Sequence, residues 1–208
     1  LELVAIGLLL HGAEAGEFRL AAPEDMFRRA AAIATRTSDV RTESYALGYL
    51  GKAQAAQGRA DDALRLVRRA LFLAQAVDAP DAIYRWQWQL GRLLAGRGEI
   101  DAAIRSYQGA VQTLQTIRAD LPGIDPVTGQ STFRKEVGPV FLELADLLLR
   151  RFAASSGSAD RLRLSDARNI VEQLKTAELA DYFGDDCVAL LRSQTKPIDR
   201  LADRTAAL

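Results

Sequence analysis

The chain has 208 residues, of which 49% are hydrophobic and 26% charged, and this composition excludes a disordered protein. It suits one domain or a short array of helices. Lys plus Arg number 27 and Asp plus Glu number 27, so the formal net charge is zero. Because no overall positive field attracts a polyanion, we expect neither nucleic acid nor a membrane as the partner.

The N-terminal residues and the cysteine content bear on the compartment in which the protein is expected. Residues 1–10 form an apolar run that contains Glu2 and is too short to cross a bilayer, so we interpret it as a buried first helix. The chain starts without Met, which suggests a piece of a longer protein. Cys187 is the single cysteine and excludes an internal disulfide. We expect a cytoplasmic protein.

The first half of the chain repeats at an offset of 40 residues. Leu50-Gly51 recurs as Leu90-Gly91, in segments rich in the good helix formers Ala, Leu, Arg, Gln and Glu. Further pairs at this offset are Gly58 and Gly98, Asp61 and Asp101, Ala63 and Ala103, Val67 and Tyr107, and Ala70 and Ala110. Another step back reaches Leu10, Phe27 and Ala30. So many matches at one offset indicate a true repeat.

Each copy resembles a tetratricopeptide repeat (TPR), with a small residue midway along helix A and an Ala-x-x-x-aromatic pair on helix B. Gly51 and Gly91 would let helix B approach helix A closely. Gly58 and Gly98 would end helix A in a left-handed conformation. The resemblance implies an all-α, TPR-like solenoid, a right-handed superhelix of antiparallel helix hairpins with about eight helices.

The expected organisation is a TPR-like helical repeat domain over residues 1–185 and a connector over 186–208 toward a downstream domain. The hairpins are predicted at about 1–37, 41–77, 81–118 and 133–183. The fourth is a degenerate capping hairpin, preceded by a turn-rich loop at 120–129 and split by a linker at 153–159. Its first helix, about 139–152, is predicted to bury Leu142, Ala145, Leu148 and Leu149, and its second to run over 165–182.

A local basic run lies at the start of a predicted helix B. Arg65, Arg68 and Arg69 follow Asp61 and Asp62 at spacings that pair opposite charges along one helix. We therefore expect a solvated helix face at this position.

The C-terminal segment carries a second resemblance. Residues 167–187 include Val-Glu-Gln-Leu-Lys at 171–175 and Asp-Tyr-Phe at 181–183, ahead of Cys187. They are similar to the last helix of repeat arrays that precede CHAT domains, the caspase-like cysteine peptidase modules of bacteria. Residues 197–208 resemble the connector to that peptidase. The resemblance implies that this chain is the regulatory or substrate-recruiting region of a repeat-plus-peptidase protein.

We predict no enzyme activity, cofactor or metal site in this chain. A caspase-like dyad needs a Cys and a His, but His11 and Cys187 would lie several repeats apart along a solenoid. One His and one Cys cannot complete a zinc shell. Asp120, Asp125 and Thr128 do not follow the spacing of an EF-hand calcium loop.

The concave face of the A helices is the candidate partner-binding surface. In TPR arrays the second, fifth, sixth and ninth positions of helix A line this groove. The predicted binding residues are Tyr45, Tyr49, Lys52, Arg85, Trp88, Gln89 and Arg92. Aromatic and basic side chains together suit a protein or peptide partner. Chaperone-binding members hold a terminal carboxylate with Asn at the sixth position, and this chain has Tyr49 and Gln89 there. The alternative is that Tyr49, Trp86 and Trp88 are core residues.

The leading interpretation is a protein–protein interaction scaffold that binds a partner protein or the downstream peptidase domain of its own chain. A second interpretation is the peptide- or small-molecule-sensing arm of a bacterial transcription regulator, because long-repeat arrays occur there. A third, a repeat-type phosphatase acting on response regulators, has no acidic or Gln constellation to support it.

Overall fold

The computed structural model describes residues 23–117, 136–153 and 160–183, and the side chains of the last range only for 164–179. These residues contain seven α-helices and no strand. The helices are α1 (Pro23–Arg36), α2 (Val40–Ala56), α3 (Ala60–Ala76), α4 (Pro80–Gly96), α5 (Ile100–Thr116), α6 (Gly138–Ala153) and α7 (Asp160–Phe183). The predicted helix at 1–10, the loop at 120–129 and the connector at 186–208 lie outside the described residues.

The chain divides into two compact units, Leu1–Ala119 and Asp120–Leu208. In the first unit each helix from α1 to α5 packs against the next, and α2 also packs along α4. In the second unit α6 packs against α7. The predicted repeat domain over 1–185, with its hairpin bounds, stays a prediction.

Four identical turns join the first five helices. Each ends a helix with one residue of positive φ, at Ser38, Gly58, Asp78 and Gly98, which are spaced by 20. Around Gly58 the backbone N–H donates to the Ala55 carbonyl and the next N–H donates to the Gln54 carbonyl. This pair of bonds is a Schellman motif, which satisfies carbonyls that the helix end leaves free. The predicted left-handed helix ends at Gly58 and Gly98 are confirmed.

Two glycines allow close contact inside the hairpins. A Cβ at Gly51 would lie 2.8 Å from Val67 Cγ2, and one at Gly91 would lie 2.5 Å from Tyr107 Cδ2. Val67 is fully buried and Tyr107 is buried. In each hairpin, therefore, the residue that lies against this glycine of helix A is the fourth after the repeated Ala of helix B. Helices α1 to α5 of the first unit form a TPR-like array of helical hairpins.

A buried carboxylate fastens α1 to the following hairpin. Glu24 is 8% exposed and accepts hydrogen bonds from Arg59 Nη2 at 2.7 Å and from Gln54 Nε2 at 3.1 Å. Gln57 Nε2 donates to it as well. A buried charge is tolerated when it is paired and fully hydrogen-bonded, so this cluster fixes α1 against α2 and the α2–α3 turn.

In the second unit, the predicted buried face of α6 is partly wrong. In α6 the predicted apolar face included Leu142 and Leu149, yet these are 55% and 44% exposed, while Ala145 and Leu148 are buried as predicted. The buried face instead includes Phe141 and its neighbours one turn on. Each added residue rotates a helix by about 100°, so a shift of one position moves a leucine from core to surface. Among the described helices none is long and apolar enough to cross a membrane.

Candidate functional site

The seven predicted binding residues lie on two neighbouring helices. α2 carries Tyr45, Tyr49 and Lys52, and α4 carries the other four. On α4 the spacing is i, i+3, i+4 and i+7, which places Arg85, Trp88, Gln89 and Arg92 on one side of the helix. α2 packs along α4, so the two sets lie on helices that are in contact.

Tyr45 is buried, with 9% of its surface exposed, and it joins the hairpins to one another. Its hydroxyl donates to Asp81 Oδ2 at the start of α4, and Arg41 Nη2 donates to the same oxygen at 2.7 Å. Burial, followed by the Asp81 contact, raises the pKa of Tyr45. Burial alone would raise the pKa of Asp81, but the Tyr45 hydrogen bond and the Arg41 charge outweigh it and lower that pKa.

Tyr49 is half-buried within an aromatic cluster. Its ring stacks on Phe27 of α1 with centroids 5.6 Å apart and meets the edge of Trp86 at 5.5 Å. Trp86 is 2% exposed and covers Gly48, where a Cβ would lie 2.4 Å from the indole. The core alternative therefore holds for Trp86, whereas Tyr49 keeps part of its surface available.

A short hydrogen-bonded chain holds the indole in place. Trp86 Nε1 donates to Ser44 Oγ at 3.0 Å, and Ser44 Oγ donates to the Ala70 carbonyl at 2.7 Å. Ser44 is fully buried. This chain links α4, α2 and α3, which is why the aromatic cluster sits at the junction of two hairpins.

Trp88 and Arg92 form an amphipathic pair on α4. The Arg92 guanidinium lies 4.1 Å from the centroid of the Trp88 ring, the distance of a cation–π contact. Trp88 is half-buried and Arg92 is exposed. The pair thus presents a flat apolar surface next to several N–H donors.

Two further polar atoms on the same side of α4 have no hydrogen-bond acceptor among the residues that the structure describes. These atoms are Arg85 Nε and Gln89 Nε2, both covered from solvent although each residue is partly exposed. The Arg85 guanidinium rests against the Tyr84 ring at 5.1 Å. A covered donor without an acceptor costs roughly 1–3 kcal/mol, so an acceptor supplied by a partner would be favourable here.

Sequence reasoning missed Asp81, which contacts the predicted residue Tyr45, and Ser44, which holds the core residue Trp86. Asp81 resembles an ordinary acid in the first turn of a helix, and the 40-residue offset from Arg41 is its only sequence signal. Within the described residues no group of His, Cys, Asp and Glu could hold a metal ion. His11, Asp120, Asp125, Thr128 and Cys187 lie outside those residues.

Six of the seven predicted residues are exposed or partly exposed, and we name them the helix-A face; they are Tyr49, Lys52, Arg85, Trp88, Gln89 and Arg92. The lysine, the two arginines and the glutamine of this face can all donate hydrogen bonds, and none of the six residues has a carboxylate. Its chemistry suits a partner that offers carbonyl or carboxylate oxygens and an apolar surface.

Comparison with known proteins gives little direct guidance. No protein-family model and no curated protein sequence matches the chain. Fifteen solved chains match it in structure. One is a Podospora anserina protein with nearly identical TPR-like repeats, provisionally named a kinesin light chain. It is 16% identical, has a TM-score of 0.42, and the match covers 77% of this chain and 87% of that one. The TPR-like architecture of this chain therefore rests on the helices, turns and glycine contacts described above.

Proposed function

We propose that this chain is a protein-interaction scaffold whose helix-A face binds a peptide segment of a partner. The observation that carries the proposal is a pair of covered donors, Arg85 Nε and Gln89 Nε2, for which the described part of the chain supplies no acceptor. Both lie one helical turn or less from the Trp88–Arg92 pair. Side-chain rotation would bring them to acceptors on a bound peptide and remove the cost of leaving them unpaired.

The remaining residues of the helix-A face support the same partner. Tyr49 and Trp88 offer apolar ring surface, and rings lose little conformational entropy on binding. Lys52 and Arg92 are exposed cations beside those rings. A peptide with a backbone carbonyl or a carboxylate near an apolar side chain would use all of these groups.

The test is selection from a displayed random-peptide library with the 208-residue chain, followed by fluorescence anisotropy on the enriched peptides. Gln89→Ala and Trp88→Ala should each weaken binding by roughly tenfold, the size expected for central contacts. Gln112→Ala is the matched control, since Gln112 is exposed on α5. If enriched peptides bind the Gln89 and control variants equally, the helix-A face is not the binding site.

A more specific form of the proposal concerns the parent protein. Residues 167–187 are similar to the last helix before CHAT peptidase domains, and we propose that the repeats regulate such a peptidase or recruit its substrate. Only the sequence supports this step. The experiment is to express the full-length gene with and without the repeats and to measure peptidase activity. Unchanged basal rate and substrate choice would exclude the regulatory role.

A further inference from the structure

A second surface, separate from the helix-A face, lies on the exposed side of α3. We name it the Arg65–Phe72 stripe; it consists of Arg65, Arg68, Arg69 and Phe72. The four residues are spaced i, i+3, i+4 and i+7, so they share one side of the helix. All four are exposed, and Phe72 is the largest exposed apolar side chain of the described residues, at 59%.

The charges of the stripe are only partly neutralised. Arg65 Nη2 pairs with Asp62 at 2.7 Å, and Arg69 Nη2 lies 4.0 Å from Glu43, the limit of an ion pair. Arg68 makes no ion pair within the described residues. The expected pairing along α3 thus holds for Arg65 alone, because Asp61 pairs with Arg97 of the α4–α5 turn instead.

The aromatic ring at the end of the stripe is positioned by a cation. The Arg69 guanidinium lies 5.5 Å from the centroid of the Phe72 ring. This contact orients the ring without covering it, since more than half of Phe72 remains exposed. A basic side chain and an open aromatic face are therefore held next to each other.

The fold does not require these residues. At the offset of 40, the equivalent positions on α5 are Arg105, Gln108, Gly109 and Gln112, all but Gly109 exposed. Helix α5, the second helix of the next hairpin, therefore has glutamines at the positions where α3 has Arg68 and Phe72. The stripe is a local addition to the repeat rather than part of its packing.

We propose that the Arg65–Phe72 stripe binds an acidic polypeptide segment that places an apolar side chain on Phe72 and carboxylates on the arginines. Guanidinium groups pair with carboxylates in a two-point geometry that fits this partner. A bilayer surface would need several apolar side chains to insert, and α3 exposes one aromatic ring. Tight nucleic-acid binding uses six or so phosphate contacts, more than about three arginines supply.

The experiment uses the 208-residue chain and a short fluorescein-labelled peptide of Glu, Asp, Leu and Phe. Its control peptide carries Gln and Asn in place of the acids. We expect the acidic peptide alone to bind, at low salt, as measured by fluorescence anisotropy. Phe72→Gln should weaken binding about tenfold, which is the loss of one aromatic contact. Arg68→Gln should weaken it about threefold, because exposed charge pairs are weak.

Each substitution has a matched control. Phe72→Gln and Arg68→Gln introduce the residues that α5 already carries, so they should preserve the fold, which circular dichroism checks. Arg105→Gln removes one charge from the position on α5 that is equivalent to Arg65 and should leave binding unchanged. Arg92→Gln tests the helix-A face separately.

Three outcomes would overturn the proposal. One is equal affinity of the wild type and Phe72→Gln for the acidic peptide. Another is loss of binding in Arg92→Gln alone, which would assign the peptide to the helix-A face. The third is failure to bind the peptide together with Phe72-dependent binding to phosphatidylserine vesicles or a single-stranded oligonucleotide, which would identify a different class of partner.

Discussion

Replacing Gly48 with alanine should destabilise the protein even though alanine is the better helix former. Gly48 lies in the middle of α2, where Trp86 of α4 covers it. The added Cβ would lie 2.4 Å from Trp86 Cη2 and Cζ2 and 2.5 Å from Cε2. Carbon atoms in contact are normally about 3.5–4 Å apart, so the indole must move by about 1 Å.

The indole has little freedom to make that movement. It is 2% exposed, packs on the rings of Tyr45 and Tyr49, and donates to Ser44 Oγ. Overpacking of a core site costs roughly 1–3 kcal/mol, while exchanging glycine for alanine inside a helix gains about 1 kcal/mol. We therefore expect Gly48→Ala to lower the free energy of unfolding, by up to about 2 kcal/mol.

Gly96→Ala is the matched control, because a Cβ at Gly96 meets nothing within 4 Å and Gly96 is also helical. That variant should be neutral or more stable by up to about 1 kcal/mol. The assay is urea denaturation followed by far-ultraviolet circular dichroism, with tryptophan emission reporting on the indole environment. If both alanine variants gain stability, Trp86 does not pack against Gly48 as described.

Three further predictions concern the junctions between helices. Ser44→Ala should cost roughly 1–3 kcal/mol, because the buried Trp86 Nε1 loses its acceptor; urea denaturation measures this. Asp78→Gly should raise the free energy of unfolding by up to about 1 kcal/mol, because Asp78 has a φ of 46°, a conformation that strains any residue with a Cβ. A higher melting temperature would show this gain. Asp81→Asn should lose less stability than the wild type when the pH is lowered into the acid range. The folded state lowers the pKa of Asp81 below its ordinary 3.8, so the carboxylate stabilises the fold fully above that value and loses this effect as pH falls through the folded pKa.

Each of these predictions has a result that would count against it. Ser44→Ala with unchanged stability would mean that another acceptor reaches the indole. A loss of stability in Asp78→Gly would show that the Asp78 side chain contributes more than its backbone strain costs. Wild type and Asp81→Asn should differ in the slope of melting temperature from about pH 5 down to about pH 2, the window in which a carboxyl group with a lowered pKa takes up its proton. Parallel slopes in that window would show that Asp81 does not contribute to the acid dependence.

The hairpins could be predicted from the sequence because their determinants are local. The offset of 40, the glycines at 51 and 91, and the left-handed glycines at 58 and 98 are each visible as residue types at fixed spacing. The turns at Ser38 and Asp78 were harder to predict, because serine carries no signal for positive φ and aspartate a much weaker one than glycine. Only the structure shows that all four turns share one motif with a period of 20.

The candidate site was less predictable because it depends on how helices from different repeats meet. Helical spacing places Tyr45 and Tyr49 on the same side of α2, yet the structure buries Tyr45 and leaves Tyr49 half-buried. Trp86 of α4 packs against both rings, but only Tyr45 also reaches Asp81 of α4, with its hydroxyl. In α6, similarly, the periodicity admits more than one register, and contact with α7 decides which leucines are buried.

The most direct test of the central claim is a nuclear magnetic resonance titration of the labelled 208-residue chain with a library-selected peptide. We predict that the changes in amide chemical shift concentrate on α2 and α4, around Tyr49, Trp88 and Gln89. Shift changes confined to the exposed sides of α3 and α5, or to the second unit, would contradict the claim that the helix-A face is the peptide-binding surface.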